Sequence, residues 1–241
     1  MTRVLVPVAV LKGATVSSGL MNLLGTVDVT VLGYHVLPEQ TPPDQARFQY
    51  EERATAALED LSEEFRAAGG AADHRLVFTH DREQTVDRVA DEVDAGALAI
   101  SGVTGDVERL LVSLSGDVAV DRILEFVTEV VGDRDIGVTL LLADAAEGAD
   151  RLKVAAERLR EAGVGTETTL EPEESTFDAL MDAIPGHDAV VMGESAPSLR
   201  SLVFGDTSER VASASVGPVL VVRSVETFDG EPPEAPDGGP E

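Results

Sequence analysis

TVDRVADEVDAGALAISG, residues 85–102, and TFDALMDAIPGHDAVVMG, residues 176–193, carry one pattern twice. Apolar residues recur at helical spacing (Val86, Val89 and Val93 in the first), and an apolar run of strand length then closes on glycine. The two align without a gap: Asp87 on Asp178, Val89 on Leu180, Asp91 on Asp182, Val93 on Ile184 and Gly102 on Gly193. Working outward, Arg3-Val4-Leu5-Val6 matches Arg109-Leu110-Leu111-Val112. Phe65-Arg66-Ala67-Ala68-Gly69 matches Leu159-Arg160-Glu161-Ala162-Gly163. The chain reads as an internal duplication.

The remaining elements fit one repeated unit. RVLVPVAV (3–10), VDVTVLGYHV (27–36), RLVFTH (75–80) and ALAIS (97–101) are expected strands. Between 45 and 69, Phe48, Leu58, Leu61 and Phe65 are assigned to one helical face, and Gly69-Gly70 ends the helix. In the second copy, a helix over 118–131 places Val120, Leu124, Val127 and Val131 on one side. VTLLLA (138–143) and a helix over 149–162 follow. Strands alternating with helices predict an α/β fold with doubly wound parallel sheets. Residues 1–104 form an incomplete unit that lacks the final loop, helix and strand. Residues 107–224 form a complete one. The Pro-, Gly- and acid-rich 225–241 is an expected disordered acidic tail. If nothing covers the edge left by the missing last strand, pairing with a partner is expected; the two copies could instead pack against each other.

Composition narrows the function classes. No cysteine is present, so disulfides, thiolate metal sites and cysteine nucleophiles are excluded. The net charge is -27, and only Lys12 and Lys153 of the 18 basic residues are lysine. Such a field repels nucleic acid and anionic membranes. An apolar content of 43% argues for a folded protein with a solvated acidic surface. Acid excess with little lysine suits a salt-accumulating, halophilic cytoplasm, because molar salt shortens the Debye length to about 3 Å. MTRVLVPVAVLKG lacks the order of a signal peptide, and no run approaches the roughly 18 apolar residues of a membrane span, so a cytoplasmic protein is expected.

The four histidines show no metal-ligand spacing, and no G-x-S-x-G or Walker A sequence occurs. His80-Asp81 reads as a turn cap. Clusters such as Glu171, Glu173 and Glu174 read as a solvated face.

RLLVSLSGDVAVDRILEFVTEV (109–130) and GDTSERVASASVGPVLVVR (205–223) resemble the universal stress protein family. The resemblance covers most of 107–224 and, more weakly, 1–104. It implies Rossmann-like five-stranded units, often as tandem repeats or as dimers through the last strand, here VGPVLVVR. Some members of the family bind ATP. The resemblance therefore implies candidate nucleotide contacts at Ser115, Gly193, Glu194, Arg200, Gly205, Asp206, Thr207 and Ser208, with ATP or AMP and Mg²⁺ as ligands. Glycines let backbone N–H groups approach phosphate at a helix start.

Here the pattern departs from that of the ATP-binding members. Ala196 replaces its second glycine, and Pro197 follows it. The spacing to Gly205 is one residue short, and Asp206 stands where a hydroxyl is usual. The aspartate that binders carry at the end of the first strand is Ala9 in the first copy and Ser115 in the second, with Asp117 nearby. Asp206-Thr207-Ser208-Glu209 also reads as a capping box. Three readings follow. One is a non-enzymatic stress-response or regulatory protein with a degenerate nucleotide site. Another is an ATP/AMP binder or weak ATPase using the 193–208 loop. The third is a scaffold that pairs with a protein partner through exposed sheet edges. A homodimer or an intramolecular pseudo-dimer is expected.

Overall fold

A computed structural model describes residues 1–100, 102–114, 120–143, 148–171, 175–194 and 217–224. The elements run β1 (Arg3–Val8), α1 (Ser18–Leu23), β2 (Asp28–Val36), α2 (Pro43–Ala67), β3 (Ala71–Thr79), α3 (Arg82–Glu92), β4 (Ala97–Ile100), β5 (Arg109–Ser113), α4 (Val120–Val131), β6 (Gly137–Ala143), α5 (Gly148–Glu161), β7 (Thr166–Glu171), α6 (Thr176–Ala183), β8 (Ala189–Gly193) and β9 (Val219–Val222). Among the described residues, nine strands form a single sheet, ordered β3-β2-β1-β4-β9-β8-β5-β6-β7. The expected α/β, doubly wound architecture is what forms, but as one mostly parallel sheet with an antiparallel join, not as separate parallel sheets.

The same order occurs in each half. β3-β2-β1-β4 mirrors β7-β6-β5-β8, and all these pairings are parallel. β9 has two partners. It runs parallel to β8, with Gly193 opposite Val222, and antiparallel to β4, with Leu98 opposite Val221. The edge of β4 that lacks a strand of its own is thus covered by the last strand of the second half. The antiparallel join also reverses strand direction, so the carboxyl ends of β1–β4 and of β5, β6 and β8 lie at opposite rims of the sheet.

Local chemistry repeats where the sequences match. Phe65 and Leu159 are buried at the ends of α2 and α5. The next residue, Arg66 or Arg160, donates from Nε and a terminal nitrogen to one carbonyl, Ala72 O or Thr166 O. Gly69 and Gly163 then turn the chain with φ of 107° and 87°, a region that favours glycine.

One core runs across both halves on one sheet face. Val4, Val6 and Ala99 pack with Leu110, Phe126 and Val127 in the same cluster. On the other face α3 and α6 cover separate clusters, and Val221 of β9 packs against both. Arg134 ties the helix ends between the halves. Its guanidinium donates to Asn22 O and Leu23 O at the end of α1 and to Val130 O and Val131 O at the end of α4. Burial lowers its pKa, and the helix-end carbonyls favour the cation.

Two sequence expectations need correction. Phe48 is 96% exposed instead of lying on the buried face of α2. That face is set by Ala46, Ala54, Leu58 and Phe65; Phe48 lies two residues past Ala46, about 200° around the helix. The gap-free match of 85–102 on 176–193 also slips. Val4 pairs with Ala97 as Leu110 pairs with Ala189, so Ala97 corresponds to Ala189 and Gly102 falls opposite Glu194, not Gly193.

Candidate functional site

Ligands of doubly wound sheets sit outside the carboxyl ends of the strands, where the strand order reverses. In the second half that place lies between β5 and β8. Its described residues are Ser113 and Leu114 at the end of β5 and Gly193 and Glu194 at the end of β8. Ser115, Arg200, Gly205, Asp206, Thr207 and Ser208 lie outside the described residues, as do Ala196, Pro197, Asp117 and the expected tail.

Gly193 is the last residue of β8 and is buried. Glu194 follows it, with its amide donating to Val222 O at 2.8 Å. The Glu194 carboxylate turns toward the end of β9. Oε2 accepts from Ser224 N at 3.0 Å and from Ser224 Oγ at 3.2 Å. Oε1 lies 3.8 Å from Arg223 Nε. Arg223 in turn donates to Asp91 Oδ1 at 2.7 Å. Glu194 thus brings a negative charge to this rim, and the cation beside it is already shared with Asp91.

Ser113, which opens the SLSGD run at the end of β5, is not among the candidate contacts. It is 1% exposed, and among the described residues its hydroxyl has no hydrogen-bond partner. A buried hydroxyl without a partner costs about 1–3 kcal/mol. The sequence signal was a polar residue closing an apolar strand, RLLVS, at the ligand-facing end.

The corresponding rim of the first half is filled by its own chain. Residues 102–108 leave β4, cross the start of α1 and reach β5. A Cβ on Gly19 would lie 1.7 Å from Gly105 O, and one on Gly217 would lie 1.7 Å from Asp188 O. A Cβ on Gly102 would come within 2.5 Å of Gly217. Asp188 fixes the far end of this crossing by accepting from the Glu108 and Arg109 amides at 3.0 and 2.8 Å. Gly102 therefore serves a backbone-to-backbone crossing. Ala9, at the end of β1, follows the same rim.

The histidines are all engaged. His35 packs its ring against Tyr50 and Phe78. His74 Nδ1 meets Ser62 Oγ at 3.3 Å, but Ser62 is fully buried and donates to Leu58 O, so it is no nucleophile. His80 Nδ1 contacts Leu37 O, and Asp81 caps α3 by accepting from Gln84 N at 3.0 Å. His187 bridges Ala183 O and Thr139 Oγ1, both at 2.8 Å. Among the described residues no group of three or more His, Asp or Glu could hold a metal ion. Among them, too, no helix is long and apolar enough to cross a membrane.

No family model matches the chain, and no curated protein matches its sequence. Solved structures do. The chain is similar to a universal stress protein from Archaeoglobus fulgidus, with a TM-score of 0.64 over 92% of this chain and 96% of that one, at 18% identity. It is also similar to the cytoplasmic domain of a prokaryotic cation chloride cotransporter. There the TM-score is 0.51 over 91% of this chain and 94% of the other, at 11% identity. At these identities the likeness is one of fold.

Proposed function

We propose that the chain is a universal-stress-protein-like, non-enzymatic regulatory or stress-response protein, built as an intramolecular pseudo-dimer of a duplicated α/β unit. The observation that carries this reading is the double pairing of β9. A strand that family members use to join two subunits is spent inside one chain. The repeated Arg66 and Arg160 contacts support a common origin for the halves. The linker across the first rim and the committed Glu194 support a degenerate nucleotide site. The acidic surface supports a working environment of high salt, and its charge argues against nucleic acid and anionic membranes as partners.

A second reading, ATP or AMP bound with Mg²⁺ by the 193–208 loop, is favoured by Ser113, whose buried hydroxyl at the ligand-facing end of β5 has no partner among the described residues. Calorimetric titration of ATP and AMP with Mg²⁺, in molar KCl, separates the two. The degenerate site gives no heat, and denaturing the purified protein releases no nucleotide. Micromolar binding that Gly205→Trp abolishes establishes the second reading instead.

A further inference from the structure

We infer that Asp91, Arg223, Glu194 and Ser224 form a latch across β9 that couples the rim of the second half to the α3–β4 turn of the first. Arg223 is the central member. Its amide donates to Gly96 O at 2.9 Å, one terminal nitrogen lies 3.4 Å from Ala95 O, and the other is 2.7 Å from Asp91 Oδ1. All three partners belong to the first half. On the other side its Nε faces Glu194 at 3.8 Å with no hydrogen bond of its own.

The balance of burial gives Glu194 its importance. The Arg223 side chain is 15% exposed and that of Glu194 is 20% exposed, whereas Asp91 is 72% exposed. Water screens the Asp91 pair, so the sheltered part of the guanidinium depends on Glu194 for charge balance. Removing that charge leaves a buried cation facing a neutral group, and the guanidinium turns outward toward Asp91 and solvent. It then abandons Ala95 O and loosens the turn that Arg223 holds. The coupling also runs the other way: without Asp91 the guanidinium turns toward Glu194 and draws its carboxylate away from Ser224. A ligand or partner that recruits Glu194 is thereby sensed at Asp91–Gly96, on the opposite half. The latch requires no nucleotide and stands independently of either functional reading.

Amide hydrogen exchange on the full chain tests it, comparing the wild type with Glu194→Gln and, separately, Asp91→Asn. Glu194→Gln is expected to speed exchange at Val93–Gly96 at least tenfold, with β2 and β6 unchanged. Asp91→Asn is expected to speed exchange at Glu194 and Ser224. Arg223→Lys, which keeps the charge but loses the fork, is expected to do both. An effect of Glu194→Gln confined to residues 193, 194 and 224 overturns the coupling. Uniform acceleration of all amides also overturns it, since that reports global unfolding.

Discussion

Thr30 and Thr139 hold matching places, yet among the described residues only Thr139 has a side-chain partner. Thr30 lies opposite Leu5 in the β1–β2 pair, and Thr139 lies opposite Leu111 in the β5–β6 pair. Thr139 Oγ1 meets His187. Gly96 N donates to Arg3 O as Asp188 N donates to Arg109 O, so the residue matching His187 is Ala95. With alanine there, the fully buried Thr30 hydroxyl is left without a partner among the described residues. Near-isosteric substitutions should therefore differ in sign. Thr30→Val is expected to stabilise the protein by about 1 kcal/mol, because an unpaired buried hydroxyl is removed. Thr139→Val is expected to destabilise it by about 1 kcal/mol, because the His187 contact is lost. Urea midpoints of the two variants check this.

At the scale of elements, the strands were legible because their apolar runs are short and bounded by turns. RVLVPVAV predicted β1, although the strand stops at Val8 and Val10–Lys12 forms a short 3₁₀ turn. The helix over 118–131 appears as α4, where Ile123, Phe126 and Val130 are buried as well as the expected Leu124, Val127 and Val131. The wide apolar face reflects a core shared with the first half, which no local window reveals. The β4–β9 join was illegible for the same reason: it pairs Ala97 with Val222 across the length of the second half, and nothing in ALAI or VLVV specifies an antiparallel partner. In the candidate site, Gly193 and Glu194 fall within the structure, but Ser113 was no candidate contact: it reads as the first residue of the loop SLSGD, whereas it closes β5 and is buried. The crossing beside β9 has a sharper consequence. Gly217→Ala would place a Cβ against Asp188 O, and overpacking of backbone on backbone is expected to cost about 3 kcal/mol. A drop in thermal midpoint measured by calorimetry tests this; no change would mean that the crossing is loose.

For the whole molecule, charge and topology make separate demands. A net charge of -27 sets up self-repulsion that salt screens. The urea midpoint is expected to rise between 0.1 and 2 M KCl, by more than in a variant with several surface Glu residues changed to Gln; circular dichroism at fixed temperature measures both. Topology sets the assembly. β9 is hydrogen-bonded on both sides by strands of its own chain and so has no free edge.

The chain has no cysteine, which gives a clean background for testing that claim. Leu98 and Val221 face each other across the antiparallel join, so Leu98→Cys combined with Val221→Cys places two thiols within cross-strand reach. Mild oxidation followed by mass determination and light scattering is the measurement. A single intramolecular disulfide in a monomer is the predicted result. Two free thiols, or a disulfide linking two chains, would contradict the account that β9 completes both halves of one molecule.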